Sequence, residues 1–131
     1  MARKREIAGW YTALLAGATD ITLPVEEPWA RNVFWMYGVV LGESFGSSRD
    51  DVMRALADEG IETRAFFYPM HQQPLFQRSP DPRFPDTSGA YPVSEHLGRS
   101  GLYLPSGLTL TYEQAQCIAS ALQSCRIATR A

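Results

Sequence analysis

The side chains best suited to chemistry stand together in Gly60–Pro74, GIETRAFFYPMHQQP. Arg64 carries a planar guanidinium fork that fits phosphate or carboxylate. Tyr68 offers a hydroxyl at the end of an aromatic run. His71 follows a Tyr-Pro pair and precedes Gln72 and Gln73. An imidazole placed there can hydrogen-bond a sugar or phosphate, or move a proton. Each residue also has a plainer reading. Arg64 fits a solvent-facing position on a half-buried strand, Tyr68 a core aromatic with a wet tip, and His71 a loop histidine bonded to local backbone. Rigid strands that hand polar groups to loops position many ligand sites, and the residue types leave both readings open.

The element that must position them is a strand over Thr63–Tyr68, where Phe66-Phe67-Tyr68 has high strand propensity. Pro69 cannot donate to a ladder and ends it. Arg64 and Tyr68 are four residues apart, so on a regular strand they share a face. Other elements frame this strand. Ile7, Trp10, Tyr11, Leu14 and Leu15 mark an amphipathic helix over about Arg3–Ala16, stopped near Gly17. It starts without a capping signal, which suggests a longer helix truncated ahead of residue 3. Ile21-Thr22-Leu23 is a short extended piece, and Glu26-Glu27-Pro28 a connector. Val33–Leu41 is apolar on both faces and predicts a central strand. Ser48 caps a second helix with Asp51 three positions on, and Val52, Ala55 and Leu56 form its inner face. Gly60 ends it. Pro74–Asp86, with four prolines, predicts a surface loop. A short helix near Pro92–Arg99 precedes a third strand, Leu102–Leu104, closed by Pro105. Thr111 and Gln114 form a capping box for the last helix, whose buried stripe is Ala115, Ile118, Leu122 and Cys125.

At 131 residues, one domain spanning 1–131 is the natural count. Apolar residues make up 45% and charged residues 20%, as in ordinary globular proteins. Net charge is −2 with no basic block, which argues against a nucleic-acid partner. Arg3-Lys4-Arg5 reads as a solvated first helical turn. No run is long enough to span a membrane, and Glu6, Trp10 and Tyr11 break any leader-like apolar core. Cys117 and Cys125 are eight apart on one helix, about 12 Å, too far for a disulfide. Both read as small core residues of a reduced, cytoplasmic protein. No Cys/His spacing predicts a metal site.

Much expected chemistry is missing. Gly42-Glu43-Ser44-Phe45-Gly46 lacks the spacing and lysine of a phosphate loop. No Ser/His/Asp frame supports a hydrolase. Trp35, Met36 and Tyr37 could stack on a base but read better as core. His96 reads as exposed. Asp50, Asp51, Asp58 and Glu59 sit at helix ends, where the dipole accounts for the first two.

RAFFYPMHQQP resembles the C-terminal domain of the DegT/DnrJ/StrS sugar aminotransferases. RKREIAGWY, NVFWMYGVVL, SRDDVMRALADEGI and LYLPSGLTLTYEQ resemble it in the same order, across about the whole chain. The FWMY, FFYPMH and LPS spellings are most similar to perosamine-synthase-like members. The resemblance implies an α+β fold: a small, mostly antiparallel sheet of three to four strands with helices packed against one face. Pattern alone leaves a parallel sheet open. It implies part of a pyridoxal-phosphate enzyme that aminates a nucleotide-linked keto sugar, with glutamate as amino donor. In the family the lysine that bonds the cofactor, the acid facing its pyridine nitrogen and the phosphate loop belong to a preceding large domain. Lys4, the only lysine, lies in no cofactor-like setting. The resemblance therefore implies no catalytic residue here and no cofactor bound by this segment alone. It implies as partners a large domain, a second subunit and the nucleotide sugar, with Arg64, Tyr68 and His71 facing substrate. The competing reading is a free-standing α+β binding or regulatory module, favoured by the initial methionine and the absent catalytic lysine.

Overall fold

The computed structural model describes residues 1–78, 83 and 85–127. The elements in chain order are α1 (Ala2–Leu15), β1 (Ile21–Thr22), β2 (Tyr37–Leu41), α2 (Arg49–Asp58), β3 (Arg64–Ala65), α3 (Pro74–Arg78), α4 (Pro92–Ser100), β4 (Gly101–Leu104) and α5 (Tyr112–Ser124). Short 3-10 turns cover Glu43–Phe45 and Met70–Gln72. Among the described residues the strands form one sheet in the order β1-β2-β4-β3, antiparallel throughout. The α+β expectation holds, and the parallel alternative is excluded for these strands.

Strand alternation separates two faces. Tyr37, Val39 and Leu41 pack with Leu102 and Leu104 against Ile7, Tyr11 and Leu15 of α1, Val52 and Leu56 of α2, and Ala115, Ile118 and Leu122 of α5. This is the main core. Gly38 pairs with Tyr103 and Val40 with Gly101 on the opposite face. The Phe66 ring covers both glycines there and stacks on Tyr103 with centroids 4.5 Å apart. α4 also contacts β2 and β4, so the helices do not all lie against the main core.

Two strands are shorter than their sequences suggest. The expected Val33–Leu41 strand begins only at Tyr37. Phe34 adopts φ 47°, and its N–H donates to Asn32 Oδ1 at 2.8 Å, a local turn that breaks the extended run. The expected Thr63–Tyr68 strand is Arg64–Ala65. Arg64 faces Tyr103, Ala65 faces Leu102, and the Phe66 N–H still reaches Gly101 O at 3.0 Å. The partner chain beyond Gly101 is helical, so the ladder has nothing further to pair with. With no regular strand to Tyr68, the even spacing of Arg64 and Tyr68 does not set their direction.

The capping residues behave as read. Ser48 Oγ accepts from the Asp51 N–H at 3.2 Å, and the Thr111–Gln114 box is complete. Pro74 opens the short α3 inside the stretch expected as loop, at a first-turn position that proline suits. In the rest of that expected loop, 79–82 and 84 lie outside the described residues, and Arg83, Pro85 and Asp86 belong to no helix or strand.

Other expectations are corrected. The basic triplet is not a freely solvated turn. Arg3 Nη2 donates to Leu110 O at 2.7 Å, and Lys4 Nζ to Trp35 O at 2.8 Å and Ser106 O at 2.6 Å. Arg5 donates to Asn32 O and pairs with Glu26 at 2.9 Å. Cys117 is exposed and Cys125 half-buried, both as free thiols, so Cys117 is no core residue. Tyr37 is fully buried, whereas Trp35 is exposed. Burial raises the Tyr11 phenol pKa far above its usual value, helped by nearby Tyr37, and also raises that of Tyr37.

Candidate functional site

Pro69 governs how the chain leaves the sheet. Its ring is buried on α4, where a β-carbon at Gly98 would lie 2.9 Å from Pro69 Cδ. Only a residue without that carbon allows so close a seat. The following 3-10 turn is held by Gln72 N–H to Pro69 O at 2.9 Å and Gln73 N–H to Met70 O at 3.1 Å. Gln73 Nε2 reaches back to Tyr68 O at 3.3 Å. The loop is therefore anchored at both ends of its polar stretch.

His71 turns inward from this loop, its side chain only 12% exposed. Its ring stacks on Tyr91, with centroids 4.3 Å apart and planes inclined by 26°. Its Nε2 lies 3.2 Å from Glu95 Oε1. Both partners belong to the start of α4: Tyr91 is its N-cap and Glu95 lies in the first turn. The Glu95 N–H bonds Tyr91 O at 2.9 Å, so helix geometry sets the two contacts at fixed spacing.

Tyr68 is 78% exposed. It lines a cavity of about 230 Å³ with Pro69, Gln72, Glu95, Arg49 and Arg99. Arg49 is anchored there, donating through Nη1 to Gly98 O at 2.6 Å and through Nε to Asp50 at 2.8 Å. Arg99 makes no hydrogen bond or ion pair among the described residues. A phenol, an amide and two guanidiniums around one opening can hydrogen-bond a polyhydroxylated or anionic ligand, while Glu95 at the same opening is engaged by His71. Tyr68 and the His71–Glu95 pair thus meet at Glu95.

Arg64 lies elsewhere. It is 74% exposed, and among the described residues its one ion contact is a long one to Glu62, 3.9 Å. It lines a separate, mostly apolar groove of about 820 Å³ with Met36, Ile61, Tyr103, Leu104, Gln114 and Cys117. His96 is exposed and lines a third cavity of about 400 Å³ with Arg49, Arg99 and three serines. Reading along the chain missed Tyr91 and Glu95 as partners of His71. Glu95 carries only the signal of an acid in a first helical turn, and nothing local links it to a histidine 24 positions earlier.

Pyridoxal phosphate requires a free lysine amine for its aldehyde. Lys4 does not fit that role, because its amine donates to the Trp35 and Ser106 carbonyls and lies 3.4 Å from Ser106 Oγ. Among the described residues no group of three or more His, Cys, Asp and Glu side chains could hold a metal ion.

Residues 1–123 match the model of the DegT/DnrJ/EryC1/StrS aminotransferase family. GDP-perosamine synthase of Caulobacter vibrioides is 33% identical over 123 residues, which are 93% of this chain and 31% of that protein. The Vibrio cholerae GDP-perosamine synthase is 29% identical, over 92% of this chain and 31% of that protein. The chain thus spans about a third of the length of the curated relatives it matches. Among solved structures, DesI in the presence of its TDP-sugar product superposes with a TM-score of 0.81 at 27% identity, over 98% of this chain and 31% of that one. DesV of S. venezuelae, in complex with a ketimine intermediate, gives 0.79 at 28%, over 99% and 32%. Sequence and fold agree, and the chain belongs to the DegT/DnrJ/EryC1/StrS aminotransferase family.

Proposed function

We propose that this chain is the C-terminal small domain of a pyridoxal-phosphate-dependent aminotransferase acting on a nucleotide-linked keto sugar. The GDP-linked 4-keto-6-deoxy sugar of perosamine synthases is the preferred substrate. The carrying observation is 33% identity to such a synthase across 93% of the chain. The occupied amine of Lys4 supports a cofactor held by residues outside this segment. When bound, that cofactor supplies the electron sink for amino transfer. The segment's task is to bind and orient the sugar. Tyr68 and Gln72 offer hydrogen bonds to it, His71 contributes a ring fixed on α4, and Arg64 on the neighbouring edge attracts the diphosphate. The parent enzyme is a cytoplasmic homodimer that takes its amino group from glutamate.

The test is in two arms. The purified chain, incubated with pyridoxal phosphate, gains no cofactor absorbance that survives dialysis. Assembled with the remaining two-thirds of a perosamine-synthase subunit, it supports glutamate-dependent amination of the GDP keto sugar. Stoichiometric cofactor retention that is lost in Lys4→Ala would overturn the reading. So would an assembled, folded enzyme that binds cofactor but aminates no nucleotide sugar.

A further inference from the structure

We infer that Glu95 is a positioning residue for His71, holding its ring so that Nδ1 is offered to a hydroxyl of the bound sugar. The inference rests on the proposed role of His71 in substrate binding. An ionised carboxylate only accepts hydrogen bonds, so the 3.2 Å contact with Glu95 Oε1 places the ring proton on Nε2. A neutral imidazole then keeps one lone pair, on Nδ1. No hydrogen bond among the described residues uses Nδ1, and His71 has no further contact unaccounted for. Every fully enclosed side-chain nitrogen or oxygen among those residues has a partner. Nδ1 therefore reaches the molecular surface, although the side chain as a whole is 12% exposed.

The direction of that nitrogen is constrained twice. Tyr91 fixes the ring plane by stacking, and Glu95 fixes rotation within it. A lone-pair nitrogen selects for a donor. Sugar hydroxyls donate, whereas the oxygens of an ionised diphosphate only accept. While the ring is neutral, Glu95 thus assigns His71 to reading the sugar and leaves the diphosphate to the guanidinium groups. Such a site discriminates against an analogue lacking the hydroxyl, because the acceptor then stays unpaired.

Two measurements test this. In the chain itself, long-range nitrogen–proton NMR of His71 at a pH where the ring is neutral should show the Nε2–H form. Its proton should exchange slowly in the wild type and in Glu95→Gln, which retains an acceptor oxygen, and rapidly in Glu95→Ala. In the assembled enzyme, Glu95→Ala should raise KM for the keto sugar about tenfold with kcat nearly unchanged, the equivalent of one hydrogen bond. It should add little in a His71→Ala background, as expected of residues acting as a unit. An Nδ1–H form, or additive effects of Glu95→Ala and His71→Ala, overturns the inference. An unaltered KM in His71→Ala, with the slow Nε2 proton still present in the wild type, overturns the substrate role proposed for His71 and leaves the Glu95 bracket standing.

Discussion

The ring of Phe66 lies against Gly101, the residue whose carbonyl accepts the Phe66 backbone N–H. One residue thus ends the β3–β4 ladder and supplies the seat for the side chain that follows it. Gly38, on the adjacent strand, completes the seat: a β-carbon there would lie 2.7 Å from Phe66 Cζ.

Gly101→Ala should destabilise the fold by about 1–3 kcal/mol, because the added methyl meets the Phe66 ring and a rigid carbonyl. The same change in a Phe66→Ala background should cost much less, since one of its two obstacles is gone. Urea unfolding of the wild type and the three variants gives the coupling directly. Equal costs in both backgrounds would show that the ring does not set the limit.

Arg126 grips Asp20 through Nε at 2.6 Å and Nη2 at 2.8 Å, joining the residues after α5 to the entry of β1. Asp20 is also held by its carbonyl, which accepts from the Gly42 N–H at 2.8 Å. Paired, charge-assisted bonds of this kind are stronger than single surface ion pairs. Arg126→Ala should therefore lower stability by about 1–2 kcal/mol, and Arg126→Lys should restore only part of it, lacking the fork. A midpoint within error of wild type for Arg126→Ala would reduce this pair to an ordinary surface contact.

Alkaline pH should unfold the chain through Tyr11 and Tyr37. Their folded pKa values are raised by burial, so both stay neutral in the fold after unfolded phenols begin to ionise near pH 10. Their contribution is complete below that pH and falls as pH climbs toward the raised folded values. Glu26, lowered by its bond to Arg5, and Asp51, lowered by Ser48 and Arg54, act at the other end. Their contribution is present above ordinary carboxylate pKa values and lost as pH falls through the depressed ones. Thermal melts from pH 3 to 12 should show both declines. Tyr37→Phe should weaken the alkaline one, and an unchanged alkaline limb would exclude Tyr37 as a source.

Lys4→Met should destabilise the chain by roughly 1–2 kcal/mol, because two carbonyls from distant loops lose their common donor. Amide exchange should quicken around Trp35 and Ser106 more than in α5. Uniform exchange rates would mean that the amine does not join those loops.

The legible parts of this fold are the local ones. Ser48 with Asp51, and Thr111 with Gln114, need only four residues to define a helix start, and both act as read. Strand ends were less legible because a partner sets them: Phe66 stops pairing where Gly101 meets α4. Cys117 is exposed, as its helical phase already indicates, since it falls two positions after buried Ala115 on a helix whose inner stripe continues at Ile118. Lys4 gives no sequence sign that its partners are Trp35 and Ser106. At the candidate site, His71 was visible as a polar residue after a strand. Its dependence on Tyr91 and Glu95 was not, because it arises from folding the Pro69 loop back onto α4.

Both rims of the sheet, β1 and β3, are only two residues long. A foreign strand arriving at either rim meets a docking ledge shorter than a usual strand, bounded by the turn after Ala18 on one side and the proline-led exit at Pro69 on the other. The architecture therefore protects itself from sheet-to-sheet growth by brevity, without needing lysines along an extended edge.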